Sequence, residues 1–200
     1  MINIGIINTE VGNNASLYNV LKKLNFNVNI SNEIKILKKA DILFLPGVGS
    51  FPAAIKNLQK KKLINFIKNK AKSGTPIIGI CLGMQLLTNG SYEVFFNEGL
   101  KLIPGIIDNK KNYKPHIGWN NIKVIKKNIY IKKNDYFYFN HSFYYKGQKK
   151  YIIAFSKNKI NEFPSIIRNK NIIGLQFHPE KSQQAGIDFL YNLIINLFHD

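Results

Sequence analysis

The sequence predicts an α/β fold: a largely parallel central sheet with helices on both faces and a mixed or antiparallel extension. Three observations carry this. Up to about residue 87, short apolar runs alternate with segments of helical periodicity. The run 41–45, Asp-Ile-Leu-Phe-Leu, is apolar without alternation, as in a strand buried on both faces. From Tyr92 the texture changes to short β-like runs, with no further helical segment until the last stretch. In parallel sheets ligands bind beyond the carboxyl ends of the strands, so the turns that follow those strands are where chemistry is expected.

In order, residues 2–7 read as a strand and Gly12-Asn13 as the loop after it. Leu17, Val20, Leu21 and Leu24 fall at helical spacing. Residues 26–30 alternate as a second strand, 34–39 give a short helix, and Pro46 to Ser50 break the strand 41–45. One long helix is expected over about 52–70, with Ala54, Ile55, Leu58, Leu63, Phe66 and Ile67 inward. Ser73-Gly74-Thr75 then leads into the apolar run 76–80. Later β-like runs are 122–125, 129–131, 136–139, 151–155, 165–167 and 172–177, with loops at 113–120 and 140–145 between strands. A final helix over 183–198 carries Ile187, Leu190, Tyr191, Ile194 and Leu197. Neither a repeat nor a linker is visible, and 200 residues suit one domain, 1–200, large enough for a core without disulfides.

Composition narrows the function classes. With 45% hydrophobic and 20% charged residues the chain reads as globular. No apolar stretch has the length of a membrane span, and Met1-Ile2-Asn3-Ile4 lacks the basic region of a secretory signal. Cys81 is the only cysteine, which fits a reducing, cytoplasmic setting. The net charge of +18 raises nucleic-acid binding, but 28 lysines stand against one arginine, Arg168, and they are dispersed with Asn and Ile. Readers of phosphates and bases favour clustered guanidinium forks, so no nucleic-acid or membrane partner is expected. One cysteine and four scattered histidines give no metal-ligand spacing, and no phosphate-binding glycine motif is present, so neither metal nor cofactor is expected.

Chemistry concentrates at Gly79-Ile80-Cys81-Leu82-Gly83, where an apolar strand runs straight into a helix-like segment. Such an elbow lifts the central side chain clear of the backbone, and the flanking glycines relieve crowding in a strained turn. A lone cysteine after an apolar run also fits an inert buried residue, so the reading depends on the other parts. Phe177-His178-Pro179-Glu180 ends the last apolar run; in extended chain, residues two apart face the same way, which would project His178 and Glu180 together. A histidine fixed by a carboxylate is the base a thiol needs. His116 and His141 are placed in loops and His199 in the tail, and the first two have no carboxylate two residues away. Pro46-Gly47-Val48-Gly49 can turn backbone N–H groups toward an oxyanion, with the N–H of Leu82 as second donor. Together these describe nucleophilic acyl transfer.

These segments, with His116-Ile117-Gly118-Trp119-Asn120 and Lys181-Ser182-Gln183, resemble the class I (triad) glutamine amidotransferases over almost the whole chain. Within that superfamily they are most similar to the glutaminase subunits of imidazole glycerol phosphate synthase, of histidine biosynthesis. The resemblance implies Cys81 as nucleophile, His178 as general base and acid, and Glu180 as its orienter. It implies an oxyanion hole from the backbone at Val48 or Gly49 with Leu82, and L-glutamine held by Gly49, Gln85 and the backbone around Ser142. The implied partner is a (β/α)8 barrel synthase subunit that takes the ammonia in a heterodimer, docked over the loops around Gly12-Asn13, 116–120, Tyr138 and Lys181.

The chain departs from the pattern twice. Asn8-Thr9-Glu10 stands where the family usually has Asp-Tyr-Gly, and Lys101 replaces a common glycine. The first bears on which synthase is served, and a paralogous family that donates ammonia for surface-glycan sugars is the alternative. A partnerless cysteine hydrolase and a basic binding module are the readings from other classes.

Overall fold

The computed structural model describes residues 1–10, 14–109, 115–126, 131–132, 134–158 and 162–199. The expected loop at Gly12-Asn13, most of the 129–131 run, the start of the 113–120 loop and the side chain of His199 lie outside the described residues.

The first part alternates as the periodicity requires: β1 (Asn3–Ile7), α1 (Asn14–Lys23), β2 (Asn27–Ser31), α2 (Ile34–Leu37), β3 (Ile42–Gly47), α3 (Phe51–Lys60), α4 (Leu63–Lys72), β4 (Ile77–Cys81) and α5 (Leu82–Leu86). Then come β5 (Gly90–Ser91), β6 (Asn97–Glu98), β7 (Ile106–Asp108), β8 (His116–Asn121), β9 (Lys123–Val124), β10 (Tyr136–His141) and β11 (Tyr144–Lys146). The chain closes with β12 (Ile152–Lys157), β13 (Glu162–Asn169), β14 (Ile172–Leu175), β15 (Phe177–His178) and α6 (Gln183–His199). The main sheet has the order β2-β1-β3-β4-β14-β13-β12-β9. Its strands from β2 to β14 pair in parallel, and β13, β12 and β9 extend it antiparallel.

Two hydrophobic layers cover the sheet because alternate strand residues point to opposite faces. Ile4, Ile6, Phe44, Ile78 and Ile80 pack with α1 and α6. Ile7, Leu43, Leu45 and Ile77 pack with α3, α4 and α5. Continuous apolar runs were therefore the right signature for β3 and β4.

The expected helix over 52–70 is two helices. Leu58 and Leu63 are both fully buried, yet five positions apart they would lie about 140° around a continuous helix. Lys62, in the left-handed region at φ 56°, breaks the helix and brings Leu63 back to the core. Nor does Pro46 end its strand: β3 continues through it, with Pro46 opposite Ile80 and Gly47 opposite Cys81.

The expected loops at 113–120 and 140–145 contain strands. β8 and β10 pair antiparallel, β15 joins them in a three-stranded sheet, and β11 pairs with β7 in a separate four-stranded sheet. Burial explains why β8 was hidden. Its apolar residues Ile117 and Trp119 face outward while polar His116 is buried, the inverse of the usual pattern. No described helix is long and apolar enough to cross a membrane.

Candidate active site

Cys81 sits on the last residue of β4, directly before α5, with φ 53° and ψ −108°. A residue with a Cβ in that region is strained, and such strain is held in place only by tight surroundings. Those surroundings are the two glycines. A Cβ on Gly79 would come within 2.6 Å of the Gly83 carbonyl, and one on Gly83 within 1.5 Å of the Leu45 oxygen. Strand and helix are thus pressed together, and Cys81 is turned to the carboxyl edge of the sheet.

His178 and Glu180 meet there, though not as alternate residues of one strand. β15 ends at His178, and Pro179–Lys181 form a 3-10 turn. The turn folds Glu180 back so that His178 Nδ1 lies 2.8 Å from Glu180 Oε1, with the two side chains 2% and 6% exposed. Ser182 holds the turn: its Oγ donates to the His178 carbonyl at 2.6 Å and accepts from the Tyr138 N–H at 3.0 Å.

Burial works against a charge on His178, but hydrogen bonding and charge from Cys81 and Glu180 outweigh it, and its pKa is pushed up to about 10. Nε2, the nitrogen directed away from Glu180, makes no fully formed hydrogen bond. The thiol donates to the Asn140 carbonyl at 3.5 Å, and Gln176 Nε2 lies 4.0 Å from it. In ligand-free sites such nucleophile–base contacts are commonly loose and tighten when substrate binds.

A cleft of about 280 Å³ opens over the elbow, lined by Val48, Gly49, Cys81, Leu82, Gln85 and Ser142 among others. Six of the eight residues singled out in the sequence therefore share one cavity, and His178 and Glu180 stand behind Cys81. Gly49 has φ 110°, open to glycine, and nothing lies within 4 Å of where its Cβ would be.

Three further residues belong to the site. Glu93 lines the cleft, and its Oε2 accepts from the Phe51 N–H at the start of α3 at 2.8 Å. Asn140 contributes the carbonyl that faces the thiol. Gln176, fully buried, interrupts β14 and β15. A polar side chain inside the apolar run 172–177 was the signal for it; Glu93, in an irregular segment, had none.

A thiol on a strained elbow, a buried histidine–carboxylate pair and a glycine turn thus meet around one small cleft on a doubly wound sheet. A family model described as glutamine amidotransferase class-I matches residues 6–197, and the chain belongs to that family. Among its relatives is an imidazole glycerol phosphate synthase subunit HisH of Lactococcus lactis subsp. lactis (strain IL1403), 41% identical over 93% of this chain and 95% of the relative. Another protein of that name, from Carboxydothermus hydrogenoformans, is 39% identical over 94% and 96%. The solved structure of PurLQS from Thermotoga maritima aligns with a TM-score of 0.75 at 17% identity, covering 98% of this chain and 99% of that one, a likeness of fold.

Proposed function

We infer that this chain is the glutaminase subunit of an imidazole glycerol phosphate synthase in histidine biosynthesis. The relatives at about 40% identity over nearly their whole length support that pathway over the surface-glycan alternative. One observation carries the chemistry: the buried 2.8 Å His178–Glu180 pair stands behind a strained Cys81 that faces the cleft.

In this reading Cys81 Sγ attacks the side-chain amide carbon of L-glutamine. His178 takes the thiol proton and returns it to the leaving nitrogen as ammonia departs, while Glu180 keeps the imidazole oriented and favours its charged form. The backbone amides at Val48 or Gly49 and at Leu82 receive the oxyanion. Water, with His178 now as base, hydrolyses the glutamyl thioester to glutamate. Gln85, Gly49 and the backbone around Ser142 hold the glutamine, and Glu93 offers a carboxylate to its ammonium group. No metal or cofactor enters these steps.

The ammonia passes to a (β/α)8 barrel synthase subunit bound over the carboxyl edge, the two chains acting as a cytoplasmic heterodimer with residues 1–200 as one glutaminase domain. Exposed Ile117, Trp119 and Tyr136, on neighbouring strands beside the site, suit such a docking face. The test is glutamate release from glutamine by the chain with its synthase. Cys81→Ala is expected to abolish release, and turnover surviving in that variant would sink the mechanism.

A further inference from the structure

The catalytic reading leaves a second pair of histidines unused. His116 on β8 and His141 on β10 are register partners, both buried, and His116 Nδ1 lies 3.2 Å from His141 Nε2. His141 Nδ1 lies 3.0 Å from the Phe143 carbonyl, and Asn120 Nδ2 lies 2.5 Å from His116 Nε2.

Donor logic assigns every proton in this chain. A carbonyl only accepts, so His141 carries its proton on Nδ1 and its Nε2 accepts. His116 must then donate from Nδ1, and its Nε2 accepts from the Asn120 amide. All three hydrogen bonds run one way, from Asn120 on β8 to the backbone of Phe143.

The surroundings keep both rings neutral. Phe139 and Phe163 lie 5.0 and 5.1 Å from the His116 ring, and Phe163 and Tyr144 lie 5.0 and 4.8 Å from the His141 ring. Burial lowers the pKa of His116 and, as the main cause, pushes that of His141 down to about 3; the backbone bond to Phe143 opposes this, and His116 and His178 add to the lowering.

The receiving end of the chain matters for chemistry. Residues 140–143 are one strip: the Asn140 carbonyl faces the Cys81 thiol, and Ser142 and Phe143 line the cleft. The giving end matters for docking, because Asn120 follows exposed Trp119 on the same strand.

We propose that His116 and His141 are positioning residues, a tautomer-locked pair that sets the strip 140–143 against Cys81 and ties its position to that of β8. Neither touches the reacting atoms as acid or base. The proposal rests on the glutaminase reading, in which that strip holds the substrate.

Two measurements test it. With the chain and its synthase, His116→Leu keeps the ring's bulk but loses both hydrogen bonds. The expected result is a KM for glutamine raised about tenfold or more, the size of one lost buried hydrogen bond, with kcat changed far less. His116→Asn places an amide N–H where Nδ1 was and is expected to restore KM to within about threefold of the parent. If the ring only fills space, leucine serves as well as histidine, and an unchanged KM in His116→Leu overturns the proposal.

The second measurement uses the unaltered chain, so it holds even if the leucine variant does not fold. Nitrogen-15 NMR of the imidazoles is expected to show the Nδ1–H tautomer on both rings at about pH 8, with His141 still neutral at about pH 5. An Nε2–H tautomer on either ring, or titration of His141 between about pH 5 and 8, overturns it. A parent chain with no glutaminase activity would instead overturn the functional reading and leave the NMR result to decide the hydrogen-bond chain.

Discussion

Replacing Glu180 with glutamine removes one charge and almost no volume. The carboxylate accepts from His178 Nδ1 at 2.8 Å, and both side chains are nearly excluded from water. Two opposite charges in contact attract by about 4 kcal/mol at an effective dielectric constant of about 20. That attraction is present only while His178 is an imidazolium, the form its raised pKa favours and the form that hands a proton to the leaving nitrogen. Losing it raises the barrier by a similar amount, about three powers of ten in rate. The glutamine carbonyl can still accept from Nδ1, so position and fold should survive. The assay is glutamate release at saturating glutamine with the partner synthase present, with a thermal melt as control. A kcat within about tenfold of the parent, at unchanged melting temperature, would refute the argument that Glu180 acts through charge.

Three further outcomes follow from particular contacts. Gly83→Ala puts a Cβ 1.5 Å from a backbone oxygen that cannot rotate away, so a loss of about 3 kcal/mol or more is expected in urea unfolding, with the elbow displaced. Lys101 adopts φ 58°, the region glycine tolerates, and its ion pair with Glu98 is exposed; Lys101→Gly should therefore stabilise the chain by about 0.5–1 kcal/mol, read as a raised urea midpoint. Stability should also fall on both sides of about pH 6.5. His141, folded pKa about 3 against 6.5 unfolded, contributes fully above 6.5 and loses its contribution as pH falls toward 3. His178, folded pKa about 10 against 6.5, contributes fully below 6.5 and loses it as pH rises through 10. Urea midpoints across pH check this, and His141→Leu should flatten the acid limb.

The alternation of apolar runs and helical spacing was enough to order the first four parallel strands, because burial on both faces leaves its mark on every residue of the central ones. The elbow at Cys81 was legible for a related reason. Gly79 and Gly83 are demanded by close backbone contact, and a demand of that kind shows in the residue type itself. The break at Lys62 and the strand β8 were not legible. The first is set by where Leu63 must be buried, and the second presents its apolar residues Ile117 and Trp119 outward.

The chain order of residues thus determined which side chains could act: one thiol, an H-P-E, a glycine turn and a glutamine on the short helix after the elbow. Tertiary structure decided how they act together. A 3-10 turn, rather than strand alternation, brings Glu180 onto His178, and pairing of β8 with β10 turns two loop-like histidines into a buried hydrogen-bonded chain. The first changes only how two residues already marked by their spacing come together, whereas the second depends on strands far apart in sequence, which no local spacing records.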